Sequence, residues 1–486
     1  MKCFAFVLLG ILPAVSPGAS PAIGQDPAVI PAGYRVERIE VPKGIVLEVG
    51  GLGFADDGDL FVCTRIGEVW RRRGETWSIF ARGLHEPLGL WVDRRAGHVY
   101  VMQRPELTRL VDSDADGRAD RYETVCAAWG VSGNYHEYAY GLVRAPDGSF
   151  FGTLNLAHAI DDASRQVLVA GGTVMSRPAK WRGWAFRVAP DGTFEPWASG
   201  LRSPAGIGAN AAGDVFFTDN QGDWIGTSTL QHLVKGAFYG HPASLLDHPD
   251  FAGREPSSLK LEDFADRRRM PTVHIPYGDL ANSPGDPAFD LTGGRFGPFA
   301  DQAFVGDQTR SNVFRVCLEK VGGEYQGCCF DFVDHLQSGI VRACFADDGS
   351  LYVGETARGW GSAGPAEYGL ERVVWDGATK PREMHHVSLR RDGFHVAFTC
   401  ALPADGLAAA NFTVARWHYL YRPEYGSPPQ DVTEVAITAV RAAEDGESVD
   451  LILPEVVPGQ VYRITVDPGL GLGNSRAWYT VNRLVD

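Results

Sequence analysis

The chain has 486 residues, 60 acidic against 45 basic side chains, and a formal net charge of −15. That length exceeds one ordinary core, so two domains are expected, and the acidic balance excludes a phosphate-backbone partner, which needs a basic face. No Cys-x-x-Cys-His occurs, which excludes covalent c-type haem on this chain, and no Cys/His cluster has zinc spacing.

In chain order, residues 1–24 come first: Lys2, the apolar run Phe4 to Val15, and small residues ending near Ser20 or Gly24. This is the pattern of a cleavable secretory signal and predicts an exported protein, periplasmic or extracellular. No later stretch approaches the ~18 apolar residues of a membrane span, so no transmembrane anchor is expected. An oxidising compartment leaves at least one of Cys63, Cys126, Cys317, Cys328, Cys329, Cys344 and Cys400 unpaired, because their number is odd.

A motif of apolar strand, Asp-Gly-type turn and second apolar strand then recurs six times. The copies run from Gly51 to Val62, Pro87 to Val101, Tyr140 to Gly152, Arg202 to Thr218, Ser283 to Gly306, and Gly339 to Gly354. Each is a hairpin signature, and six copies predict an all-β six-bladed β-propeller over residues 35–378, in which neighbouring blades cover one another's faces. Past Lys380-Pro381, short strands such as Val387-Ser388-Leu389 and Tyr462-Arg463-Ile464-Thr465-Val466 predict a small immunoglobulin-like β-sandwich over 385–486, with a role in attachment or packing.

Three segments carry chemistry. In Asp112-Ser113-Asp114-Ala115-Asp116-Gly117-Arg118-Ala119-Asp120-Arg121-Tyr122-Glu123, oxygens fall at the spacing that wraps Ca²⁺. The expected ligands are Asp112, Asp114, Asp116, the Arg118 carbonyl, Asp120 and Glu123, holding a structural ion in a propeller loop. In Asn134-Tyr135-His136-Glu137-Tyr138, His136 at a strand entry is a candidate general base, with Glu137 to orient it or to face solvent. In Arg202-Ser203-Pro204-Ala205-Gly206 and Asp219-Asn220-Gln221-Gly222-Asp223-Trp224, Arg202 is placed to pair with an anion, and the second loop offers hard oxygen ligands.

At these residues, and at Lys235-Gly236-Ala237-Phe238-Tyr239-Gly240-His241-Pro242, the propeller resembles the soluble pyrroloquinoline quinone (PQQ)-dependent glucose/sorbosone dehydrogenase family. The whole chain is similar to an exported, membrane-bound dehydrogenase-like branch of that superfamily. The resemblance implies that His136 is the base, that Arg202, Gln221, Arg310 and Arg342 bind PQQ, and that Gly222 and Asp223 hold its Ca²⁺. The substrate would be a carbohydrate or other small polyol, with a separate electron acceptor such as a cytochrome. The chain departs from the family pattern at Thr309, beside Arg310, where a cofactor-binding Lys is expected, at Ile340 where an Arg is, and near Ile66 where a Gln is. Two further readings stay open: a cofactor-free carbohydrate hydrolase or lyase using His136 or Glu137, and a non-catalytic carbohydrate- or protein-binding propeller.

Overall fold

The computed structural model describes residues 29–485 apart from 170 and 173. The expected signal, at 1–24, lies outside the described residues. The chain folds mostly into antiparallel strands in several sheets. The first quartet is Val49–Phe54, Leu60–Thr64, Val69–Arg73 and Thr76–Ala81. The second is Leu90–Asp93, His98–Met102, Leu107–Val111 and Arg121–Cys126. The third is Ala139–Arg144, Phe150–Leu154, Trp184–Val188 and Phe194–Ser199. The fourth is Pro204–Ala209, Val215–Asp219, Ser228–His232 and Val273–Ile275. The fifth is Pro284–Phe289, Ala303–Asp307, Asn312–Val321 and Glu324–Val333. The sixth is Ile340–Phe345, Leu351–Thr356 and Tyr368–Trp375, completed by the N-terminal strand Tyr34–Arg38.

The first strand of each quartet touches the first strand of the next, and the sixth touches the first, so the quartets close into a ring. Each repeated hairpin of the sequence supplies the two innermost strands of one quartet. Its Asp-Gly turn needs a residue at positive φ, as at Gly58 (φ 82) and Gly148 (φ 85). Glycines on the inner strands serve the other constraint, crowding at the axis. A Cβ on Gly206 would lie 2.1 Å from the Asp286 Cα, so only glycine lets the fourth and fifth quartets meet there.

Arg342 is the hub of this crowding. Its Nε donates to the Gly50 carbonyl (2.8 Å), Nη2 to Leu88 (2.9 Å), and Nη1 to Ala205 (2.7 Å) and Val341 (2.5 Å). The guanidinium also lies 4.9 Å from the Tyr140 ring. Asp286 completes the set: it accepts from the Ala343 N–H (2.8 Å), and burial lifts its carboxyl to about 6 against the pull of Arg342. One arginine thus bonds or abuts groups from five quartets, and a carboxylate from the remaining one sits beside it. Sequence resemblance assigns Arg342 to a cofactor, but its donors are directed to backbone carbonyls around the axis.

The C-terminal region forms two further sheets. Met384–Arg390, Gly393–Phe398, Ser448–Ile452 and Ala439–Ala442 make one. Arg476–Val481, Gln460–Val466, Phe412–His418 and Gln430–Val435 make the other. Between them lies a core of Phe394, Val396, Leu451, Tyr462, Ile464 and Tyr479. The second sheet is continuous with the fifth quartet: Glu324–Val333 pairs with Arg476–Val481 in the register Cys328↔Tyr479, giving one eight-stranded sheet. That junction covers what would be an open sheet edge. The seven cysteines among the described residues are all free thiols.

Candidate functional site

Loops from several quartets converge on a cleft of ≈ 150 Å³ at one mouth of the ring. On the far side of the Arg342 layer, inner strands of the six quartets line a second cavity of ≈ 440 Å³. The first cleft holds the candidate chemistry.

His136 stands in its wall. Asn134 shapes the segment: its Oδ1 accepts from the backbone N–H groups of His136 and His158 (both 3.1 Å), and its Nδ2 donates to the His158 carbonyl (2.9 Å). The His136 Nδ1–H donates to the Leu156 carbonyl (2.8 Å), which fixes the tautomer and leaves the lone pair on Nε2, 3.5 Å from Ser203 Oγ. Burial depresses the imidazole to about 4, and the Arg202 charge adds to the fall. His136 is therefore neutral at pH 7, with its acceptor nitrogen beside the cleft.

Glu137 does neither of the things expected of it. It is fully buried, accepts from the Ser132 N–H (2.6 Å) and hydroxyl (2.9 Å), and does not line the cleft.

Arg202 does line the cleft, on a turn held by the buried Asp219, which accepts from the N–H groups of Arg202 (2.8 Å) and Ser203 (2.7 Å). Its Nε donates to Asp223 Oδ1 (2.7 Å). The other Asp223 oxygen accepts from the Met175 N–H (2.9 Å) and lies 3.3 Å from His241 Nε2. Burial alone would raise Asp223, but Arg202 and His241 hold it far below the usual carboxylate range. The Gly222 carbonyl accepts from the N–H groups of Gly426 (2.9 Å) and Ile225 (3.1 Å). Both expected ligands of a cofactor Ca²⁺ are thus committed to protein donors, and Gly222 with Asp223 does not fit a cation. The physical reason is charge competition: a guanidinium within hydrogen-bond reach takes the carboxylate that a metal would need.

Gln221 lines the cleft and donates to the Gly226 carbonyl (3.2 Å). Arg310 does not line it: its Nη1 donates to the Gly278 carbonyl (2.5 Å).

Sequence reasoning missed several lining residues. Arg65 is held by Glu86 (Nε to Oε1, 3.1 Å), which also binds Arg104 (2.7 Å), and the two arginines flank the Tyr138 ring. Burial pushes Glu86 upward, but the paired cations keep it below its ordinary value. Arg65 also donates to the carbonyl of Arg358, a third arginine in the lining. Asn155 and His158 arrive on the excursion between Phe150–Leu154 and Trp184–Val188, and Asn220 on the loop after Asp219. Asn155 Oδ1, Asn220 Oδ1 and His158 Nδ1 are buried without a partner among the described residues. Tyr425 comes from the C-terminal region, its ring 5.2 Å from the Arg202 guanidinium. No aspartate or glutamate is among the described residues that line the cleft. Three arginines, aromatic rings and open amide acceptors make a seat for a planar or anionic ligand bearing hydroxyls.

Away from the cleft, Asp112, Asp114 and Asp116 offer oxygens within 4.8 Å of one another. Asp120 instead accepts from the Ser113 N–H (3.1 Å) and hydroxyl (2.5 Å). Glu123 is bound by Arg109 and Arg121, so the twelfth position of the loop faces cations.

Residues 73–258 match a family described as a domain of unknown function, DUF7133. No curated protein matches the chain. Among solved structures, the PQQ domain of pyranose dehydrogenase from Coprinopsis cinerea, in its holo form, is 14% identical, with a TM-score of 0.52 over 74% of this chain and 99% of that one. A putative oxidoreductase (glucose dehydrogenase) from Thermus thermophilus is 21% identical, with a TM-score of 0.49 over 70% of this chain and 100% of that one. The PQQ-bound aldose sugar dehydrogenase from Streptomyces coelicolor is 15% identical, with a TM-score of 0.47 over 71% and 99%. At these identities the likeness to the pyranose dehydrogenase domain establishes a shared fold, that of the β-propeller dehydrogenases.

Proposed function

We propose that this chain is an exported, sugar- or alcohol-oxidising dehydrogenase-like protein: a six-bladed β-propeller over 35–378 that carries the site, and an immunoglobulin-like sandwich over 385–486 that walls one side of it. The carrying observation is the placement of His136, whose Nδ1–H is held by the Leu156 carbonyl and whose Nε2 stands beside a cleft lined by arginines, with no carboxylate among the described lining residues. PQQ, when bound, supplies the hydride acceptor. Arg202, Arg65 and Gln221, which line the cleft, would hold its carboxylates and quinone oxygens through the donor hydrogens their protein partners leave over, while Arg310 and Arg342 lie outside the lining. His136 Nε2 takes the proton of the substrate hydroxyl, Ser203 Oγ sits beside that nitrogen, and the unpartnered amide oxygens of Asn155 and Asn220 accept from other substrate hydroxyls. The test is PQQ titration of the purified protein, followed by dye reduction with a panel of aldoses and polyols. Saturable PQQ binding and sugar-dependent reduction are expected. Absence of both overturns the proposal.

Because Gly222 and Asp223 do not fit a cation, PQQ affinity is expected to be the same in EDTA and in millimolar Ca²⁺. A large gain with Ca²⁺ would show that the loop opens to accept the ion.

Ca²⁺ is assigned instead to the exposed loop, where Asp112, Asp114, Asp116 and the Arg118 carbonyl are the ligands. At 100-fold over Kd it would add about 2.7 kcal/mol to the folded state, or about 4 °C in Tm for a ring of this size. Asp114→Asn is expected to abolish the rise; an unchanged Tm on adding Ca²⁺ to the wild-type protein removes the site.

The lining favours one second reading. Arginines beside a neutral histidine also suit proton abstraction next to a sugar carboxylate, a lyase reaction, whereas carboxylate-pair glycoside hydrolysis finds no such pair among the described residues that line the cleft. Release of unsaturated uronate from an acidic oligosaccharide, followed by ultraviolet absorbance with no electron acceptor present, singles it out.

A further inference from the structure

Tyr135, Tyr277, Trp360 and Tyr425 all line the cleft, yet they are 45%, 46%, 57% and 52% exposed. Large aromatic rings usually lose most of their surface on folding, and four exposed ones around one opening form the kind of patch that marks a ligand surface. They come from four separate loops, and each stands on backbone held by hydrogen bonds. The Tyr135 carbonyl accepts from Arg104. The Tyr277 N–H donates to Thr227 Oγ1 (3.0 Å). The loop carrying Trp360 is tied at Ala357 to Glu367 (2.8 Å) and at Ala363 to Thr309 (2.8 Å). Tyr425 sits between Trp224 N–H to Arg422 carbonyl (2.9 Å) and Gly426 N–H to Gly222 carbonyl (2.9 Å). Exposure here is not looseness: the rings are presented on fixed supports.

We infer that this aromatic rim is a platform for the sugar rings of an extended glycan, so that the preferred substrate is an oligosaccharide chain with one unit in the cleft and its neighbours stacked outside. The inference rests on reading the cleft as a carbohydrate site. A pyranose has a flat face of C–H groups that packs on an aromatic ring, and an edge of hydroxyls that needs hydrogen-bond partners. The rim supplies the first, and Asn220, Asn282 and Gln308, which line the same cleft, supply the second. That mixture separates the rim from a protein-docking patch, whose centre is a desolvated apolar cluster. The C-terminal region thereby becomes part of the binding surface, through Tyr425.

The test measures Kd for neutral (cello-, xylo- and malto-) and acidic (galacturono-) oligosaccharides of one to six units, by calorimetry and by Trp360-dependent fluorescence. At least one series is expected to gain about tenfold in affinity between one and four units, equal to about 1.4 kcal/mol. Trp360→Ala and Tyr425→Ala should weaken tetramer binding more than monomer binding and flatten that gain, whereas Tyr425→Phe keeps the ring and the gain. Unchanged Tm would show that the variants fold. Length-independent Kd in every series that binds, or a gain that survives the double alanine variant, overturns the platform while leaving the cleft reading intact. No binding in any series overturns both.

Discussion

His136→Asn is expected to lower kcat for sugar oxidation by about 10²- to 10⁴-fold, the range that a positioned general base contributes. PQQ affinity should change far less, because its carboxylates are assigned to Arg202 and Arg65. The pH dependence gives an independent readout. The folded imidazole takes up a proton only as pH falls through about 4, against 6.5 for an unperturbed group, so the acceptor form persists across neutral and mildly acidic conditions. On this residue's account kcat/KM stays level from pH 8 to pH 6 and falls only towards pH 4. The same depression makes a stability statement. The unfolded chain binds the proton first, so the His136 contribution is complete above pH 6.5 and is lost as pH falls towards about 4. A variant within tenfold of wild-type kcat would remove His136 as the base, whereas a wild-type profile that collapses near pH 6.5 would show that burial does not depress its imidazole.

Arg342→Leu should have the largest effect on stability, about 3–5 kcal/mol, the scale for breaking a buried charged network by removing one partner. The loss leaves the Gly50 and Ala205 carbonyls without their donor, the Leu88 carbonyl with only the Gly141 N–H at 3.4 Å, and Asp286 without its cation, in the most crowded part of the ring. Urea denaturation at constant pH measures it through the transition midpoint. A shift under about 1 kcal/mol would show that glycine-mediated contacts hold the axis without the arginine.

The hairpins were legible because their signals are local. An Asp-Gly turn with apolar alternation on both sides marks the same two inner strands whether or not the remaining strands can be read. The junction between Glu324–Val333 and Arg476–Val481 was not legible, because pairing between strands so far apart leaves no local pattern. In the site, His136, Arg202 and Gln221 reach one cleft from strand entries, where the turn geometry is dictated nearby. Arg310 and Arg342 show the limit: a cation's type is written in the sequence, but the acceptors it meets are decided by the ring. Asp223 misleads for the same reason, since its availability depended on where the Arg202 guanidinium came to rest. Glu137 is one residue from His136 and still faces away, onto Ser132. Arg358 and Tyr425 carried no motif at all.

The sixth quartet has one further implication. Its outer strand, Tyr34–Arg38, pairs with Tyr368–Trp375, and the Arg38–Glu371 bond there joins residues 333 positions apart. The ring therefore cannot close until nearly the whole propeller has been made, and a topology with such distant contacts closes slowly. A polypeptide of this design keeps its first strand without a partner until its last quartet exists.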